Sequence, residues 1–169
     1  MSPEELEHFA QRWDAMFNTP DIDIADEIFA TNLRTDQPLG LEFKDLPSFK
    51  AYVQSFYVAF PDLREEIYDS FLMGDKAVLR VCYFGTHKGE FLGVPATGRS
   101  VKMPGIGIFR FEGGKAVENW AQFDIFAVYQ QLTAPVPNHP VSRLSRTAGE
   151  FLSIPGPPSS GVNVPLMAV

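Results

Sequence analysis

Proton transfer without a cofactor needs a carboxylate or an imidazole whose pKa its surroundings can move. Two residues of this chain have a type and a setting that could supply one. Asp124 follows the apolar run Ala116–Phe123 and precedes Ile125–Leu132. As a base it would gain strength from apolar neighbours, which raise a carboxyl's pKa. As a structural residue it would cap the helix that Ile125 opens, a position where Asp is favoured. His87, inside Gly85–Gly89, titrates near neutrality when unperturbed. It reads either as a base or hydrogen-bond donor, or as the residue that holds that turn. Other chemistries are poorly served. His8, His87 and His139 have no metal-ligand spacing with one another or with Cys82, so no metal is expected. Gly105-Ile106-Gly107 lacks the third glycine of a dinucleotide fingerprint and sits in a strand-like run, and no Gly-x-Ser-x-Gly elbow occurs. No cofactor is expected.

The elements that must position these groups are legible in order. Ser2-Pro3-Glu4-Glu5 is a capping box with proline at the first helical position. Leu6, Phe9, Ala10, Trp13 and Phe17 then recur at helical spacing up to Asn18-Thr19-Pro20-Asp21. Ile24, Ile28 and Phe29 suggest a short second helix, followed by a polar connection from Thr31 to Pro38. A third helix is predicted from Leu46 to Ala59, with Phe49, Val53, Phe56, Tyr57 and Phe60 inward and Pro61 as its stop. Leu63–Leu72, Val78–Phe84, Val101–Phe111 and Ala116–Phe123 read as strands. The last two are joined by Glu112-Gly113-Gly114-Lys115, a hairpin signal because glycine takes positive φ without steric cost. Helices first and strands after predict an α+β fold, a curved antiparallel sheet wrapped over N-terminal helices to leave a cone-shaped pocket.

Composition bounds the function. A chain of 169 residues suits one domain with a real core, and 45% hydrophobic with 13% aromatic residues says globular. Fifteen Phe is a heavy load, read as core filling or as the lining of an apolar cavity. A formal net charge of −7 argues against a nucleic-acid partner. The acidic start Met1-Ser2-Pro3-Glu4-Glu5 has no signal-peptide pattern, and no apolar run approaches membrane-spanning length, so a cytoplasmic protein with no membrane partner is expected. Cys82, the single cysteine, lies inside a strand as a small core residue. Residues 135–169 hold seven of the 14 prolines and read as a Pro-rich tail behind a pocket domain of residues 1–134, with a short helix suggested at Ser142–Leu152.

Ala59-Phe60-Pro61-Asp62-Leu63, Gly85-Thr86-His87, Gly89-Glu90-Phe91-Leu92-Gly93, Thr97-Gly98-Arg99 and Gln130-Gln131-Leu132 follow in one order and spacing. Together they resemble the SnoaL-like polyketide cyclase family, within the nuclear-transport-factor-like superfamily, over roughly residues 3 to 132. The resemblance implies a curved-sheet pocket that closes a polyketide ring by aldol chemistry, with an aspartate on the last strand moving the proton and polar helpers on the neighbouring strand. Alignment on Gly113-Gly114-Lys115 places that aspartate at Ala121 and the helpers at Gly105 and Gly107, so all three are absent. Asp124 and His87 are then the candidates for relocated chemistry. On the same layout Asp36 and Tyr57 line the mouth of the pocket. Tyr83, Met103, Phe109, Asn119, Trp120 and Phe123 form its walls, with Trp13, Phe17 and Phe56 from the helices. Trp120, with Glu118 and Gln122, alternatively faces a partner in a homodimer joined through the open sheet face. The expected function is a cofactor-independent cyclase or isomerase acting on a small, largely apolar polyketide- or terpenoid-like metabolite. A non-catalytic small-molecule-binding or assembly protein is the alternative, and an epoxide-type hydrolase using paired carboxylates is a further one.

Overall fold

Ser2 opens the first helix, α1 (Pro3–Asn18), through the reciprocal bonds its sequence predicts. Its Oγ accepts from the Glu5 amide at 3.2 Å, and Glu5 Oε2 accepts from the Ser2 nitrogen at 2.6 Å. The computed structural model describes residues 2–19 and 21–135, and the helix expected at 142–152 lies outside them, as do residues 136–169 of the Pro-rich segment as a whole. Helix α1 buries Leu6, Phe9, Trp13, Met16 and Phe17, the stripe its spacing implies. A 3₁₀ turn (Ile22–Ile24) and the single turn α2 (Ala25–Ile28) follow.

The next segment departs from expectation. Phe29 does not extend the second helix, and the polar connection is not a loop: Phe29–Gln37 is strand β1 and Leu41–Phe43 is strand β2. The inward residues of β1 include Leu33, Thr35 and Gln37, so polar side chains occupy half-strand positions that normally signal themselves as apolar. What holds β1 extended is a distant partner. It lies parallel to the last strand, pairing Arg34 with Glu118, Thr35 with Asn119 and Asp36 with Trp120.

Helix α3 (Leu46–Ala59) matches its predicted bounds, and Asp45 caps it by accepting from the Ser48 amide at 2.8 Å. Strands β3 (Arg64–Met73), β4 (Lys76–Thr86), β5 (Ser100–Glu112) and β6 (Lys115–Phe123) precede the closing helix α4 (Ile125–Thr133). The sheet order is β2-β1-β6-β5-β4-β3. The expected four-stranded antiparallel sheet is therefore six-stranded and mixed, with β1–β6 its parallel pair. The α+β class stands: a curved sheet with the N-terminal helices against its inner face. Gly113 and Gly114 turn β5 into β6 at φ of 55° and 81°. Rings bind helix to sheet, with Phe9 and Phe111 centroids 4.8 Å apart and those of Trp13 and Phe109 5.0 Å apart.

Candidate functional site

Between α1, α3 and the inner sheet face lies a cavity of about 40 Å³. Its walls are Trp13 and Phe17 from α1, Phe49, Tyr52, Val53 and Phe56 from α3, and Leu79, Val81 and Tyr83 from β4. Met103, Gly107 and Phe109 of β5 and Asn119, Ala121 and Phe123 of β6 complete it, with Leu63 and Gln37. A space of this size admits about two or three waters. Pockets that enclose a drug-sized ligand run to about 300–1,000 Å³. Anything larger than a few waters must displace aromatic rings, which here pack edge to face: Phe17 on Tyr83 at 4.9 Å and Tyr83 on Phe123 at 5.5 Å.

The polar part of the wall is a pair of carboxamides. Gln37 Nε2 donates to Asn119 Oδ1 at 2.8 Å, and Asn119 Nδ2 donates to the Ile108 carbonyl at 3.3 Å. Opposite Asn119's strand neighbours the wall is bare. Gly107 faces Ala121 across the β5–β6 ladder, and both line the cavity. At Gly105 a Cβ would meet Phe123 Cδ1 at 2.0 Å, so the Phe123 ring fills the space a side chain there would use.

The structure brings together most of the expected wall: Trp13, Phe17, Phe56, Tyr83, Met103, Phe109, Asn119 and Phe123 all line the cavity. Three expected residues do not. Asp36 is exposed and points away, because the period-2 alternation of β1 turns Thr35 and Gln37 inward instead. Trp120 is on the outer face beside Ile108, with Lys76 Nζ 5.5 Å from its ring centre. Tyr57 donates from its hydroxyl to the Met16 carbonyl at 2.8 Å and is spent on joining α3 to α1.

Neither Asp124 nor His87 is among the cavity's walls. Asp124 is exposed and its Oδ1 accepts from the Ala127 amide at 2.9 Å, the capping role at the start of α4. His87 is fully buried in the 87–99 connection, its ring 5.5 Å from Phe60. Its backbone bonds to Arg99 and Gly98, and its Nδ1 accepts from the Thr97 amide at 3.2 Å. That assignment puts the ring proton on Nε2, which has no partner among the described residues. Burial pushes the imidazole pKa down, so it stays neutral as a loop anchor.

The ionisable group that sequence reasoning missed is Glu65 on β3. It is 3% exposed, and Oε1 accepts from Trp13 Nε1 at 2.7 Å; among the described residues Oε2 makes no well-formed hydrogen bond, with the Tyr83 side chain its polar neighbour. Asn18 holds its backbone from both sides, accepting from the Glu65 amide at 2.8 Å and donating to its carbonyl at 3.1 Å. Burial pushes the carboxyl up to about 8, against the lowering effect of the Trp13 and Tyr83 side chains. Tyr83, paired with Glu65 across the ladder, is raised well above the usual phenol range by burial and by that neighbour. The signal was available: Leu63, Glu65 and Ile67 alternate, which sets a carboxyl on an apolar strand face.

The SnoaL-like polyketide cyclase family model matches residues 7–132. The chain belongs to the SnoaL-like polyketide cyclase family. Among solved structures, TsrD from Streptomyces laurentii is 25% identical with a TM-score of 0.73, over 80% of this chain and 99% of its own. AclR from Streptomyces galilaeus, described as a candidate hydroxylase, is 25% identical at a TM-score of 0.71, over 81% and 87%. IdmH from Streptomyces antibioticus, described as a candidate polyketide cyclase, is 27% identical at 0.67, over 75% and 96%. No curated protein matches the chain. The SnoaL-like match ends just before the Pro-rich segment, and among the described residues no helix is long and apolar enough to cross a membrane.

Proposed function

We propose that this SnoaL-like protein is a cofactor-independent cyclase or isomerase acting on a small, largely apolar metabolite of polyketide or terpenoid type. The observation that carries the reading is an aromatic cavity between the helices and the inner sheet face, flanked by a buried carboxyl of raised pKa. Apolar walls favour an apolar skeleton, and the Gln37–Asn119 pair offers hydrogen bonds to one neutral polar group. On the family layout the usual aspartate falls at Ala121 with Gly105 and Gly107 beside it, so proton transfer is carried by a group outside the lining, Glu65 behind Trp13.

One observation favours a second reading, a non-catalytic binding protein: the cavity wall itself holds no carboxylate and no imidazole. Epoxide hydrolysis through paired carboxylates has no such pair among the described lining residues. The protein works as a homodimer through the outer sheet face, where Tyr68, Phe71, Ile106 and Ile108 are exposed. The deciding experiment incubates the protein with a panel of uncharged cyclic and linear ketones, followed by proton NMR without added cofactor. Turnover or deuterium exchange next to the carbonyl supports the enzyme. Binding with the ligand unchanged and unexchanged after long incubation supports the binder.

A further inference from the structure

The rings around the cavity are not held equally. Trp13 is pinned by its bond to Glu65 and lies between Phe17 and Phe109. Phe109 is buried and packs on Phe9 and Phe29 as well. On α3, Phe56 is backed by Tyr52 at 5.1 Å and by Phe91 at 5.5 Å, and Tyr52 also lies against Phe43 and Phe49. Phe123 differs. It is half-buried, and among the described residues the one ring it meets is Tyr83. Its other side rests on glycine: Gly105 stands opposite in the β5–β6 ladder, and a Cβ there would fall 2.0 Å from Phe123 Cδ1 and 2.5 Å from Cε1. A glycine inside a strand marks a place where another group approaches closely, and here that group is the Phe123 ring. The backbone beneath is fixed, because the ladder pairs Phe123 with Gly105 and the Asp124 amide donates to the Pro104 carbonyl at 3.1 Å. Motion is left to the side chain, whose rotamers exchange fast where a residue reaches the surface.

We infer that Phe123 sets the upper size of the ligand, its ring being the movable wall of the cavity. This rests on the cavity being a ligand site, as argued above. At about 40 Å³ the closed cavity has space for a few waters, so room for an organic ligand has to come from a wall. Elsewhere one ring yields only by pushing on further rings of a close-packed interior. Turning Phe123 off Gly105 breaks a single edge-to-face contact, the one with Tyr83. The space it vacates joins the cavity directly. Gly107 and Ala121, the next inward pair of the same ladder, already line the cavity and leave no bulky side chain in between. The lining carries no charged side chain, so what enters is uncharged, since an unpaired buried charge is strongly disfavoured. The bulk of the side chain at position 123 then decides how large an uncharged ligand is accepted.

The test titrates the full chain with two uncharged ketones, acetophenone and the bulkier benzophenone, by saturation-transfer NMR. The quantity read is the ratio of their dissociation constants. Phe123→Ala should shift that ratio towards benzophenone by at least about tenfold relative to the wild type. Phe56→Ala removes the same ring from the α3 side and should move the ratio far less, because Tyr52 and Phe91 stand ready to close over the gap. Benzophenone binding to Phe123→Ala and not to the wild type is the same result in its extreme form. A ratio that Phe123→Ala leaves unchanged, or that Phe56→Ala moves as far, overturns the inference while leaving the cavity a ligand site. If neither ketone binds the wild type or Phe123→Ala, the inference falls together with the ligand-site reading. Should Phe123→Ala fail to fold, Phe123→Leu makes the same comparison, with a smaller shift in the same direction expected and no shift overturning it.

Discussion

Burying a carboxyl makes stability depend on pH, and at Glu65 the sign runs opposite to the usual salt-bridged acid. Its native pKa of about 8 lies above the ordinary 4.5, so between those values the unfolded chain has released a proton that the native protein keeps. Stability is full below the lower value and is lost as pH rises towards the upper one. Glu65→Gln removes that slope. The wild type should therefore weaken relative to Glu65→Gln across this window, by on the order of a few kcal/mol, in denaturant melts at stepped pH. A difference that stays flat would show that Glu65 is ionised in the native state. Asp124 is governed by a different rule. Because it is an exposed cap, Asp124→Ala should cost ~1 kcal/mol and Asp124→Asn close to nothing. Any turnover should survive in the Asn variant, since the side chain is not among the cavity's walls. An inactive, fully stable Asp124→Asn protein would restore it as a catalytic candidate.

At the scale of elements, what was legible depended on whether a segment's fold is written in its own residues. Strands β4, β5 and β6 alternate apolar residues between glycine turns, and α1 and α3 carry both caps and a stripe, so local pattern suffices. Strand β1 shows no such pattern: it turns Thr35 and Gln37 inward, and its extended form is fixed by β6, which is remote in sequence. The same cause misplaced Asp36, because without a strand there is no alternation to assign it outward. Glu65 was missed inside a correctly read strand, since charge drew no attention at an apolar-phase position. Residues 87–99, rich in turn residues, show how a loop can be built as firmly as a strand. Lys88 and Gly89 amides both donate to the Ala59 carbonyl at the end of α3, at 2.8 and 3.0 Å. A Cβ at Gly89 would stand 2.5 Å from the Val58 carbonyl oxygen, which is backbone and cannot step aside. Gly89→Ala should therefore lift the loop from α3 and cost roughly 1–3 kcal/mol. Thermal melts measure the loss, and faster hydrogen exchange at the Lys88 amide locates it. An unchanged melt with a protected Lys88 would mean that the helix end yields instead.

At the scale of the molecule, the described elements end with α4 and make their ladders among themselves, so cutting after Ala134 should leave a cooperative melt with little change in midpoint. The larger question is what covers the outer sheet face. Cross-strand pairing sets Phe71, Val78, Ile108 and Trp120 in one row across β3, β4, β5 and β6, with Arg80 and Ile106 in the next. Phe71 is 59% exposed and Ile106 47%, an amount of apolar surface that water disfavours over a contiguous area. Charges stand in the same field: Arg80 bonds Asp69 at 2.6 Å, and Lys76 lies over Trp120. A second copy of the chain, turned about a two-fold axis, would cover the row with its own and set these charges against their counterparts. Light scattering should accordingly report a dimer at micromolar concentration. Ile108→Glu places a charge at the centre of the row without touching the cavity or the inner face. It should give a monomer with an intact melt, since Ile108 contributes little to the monomer's own core. A wild type that scatters as a monomer at every concentration would sink the dimer, whereas an Ile108→Glu protein that remains dimeric would move the interface elsewhere.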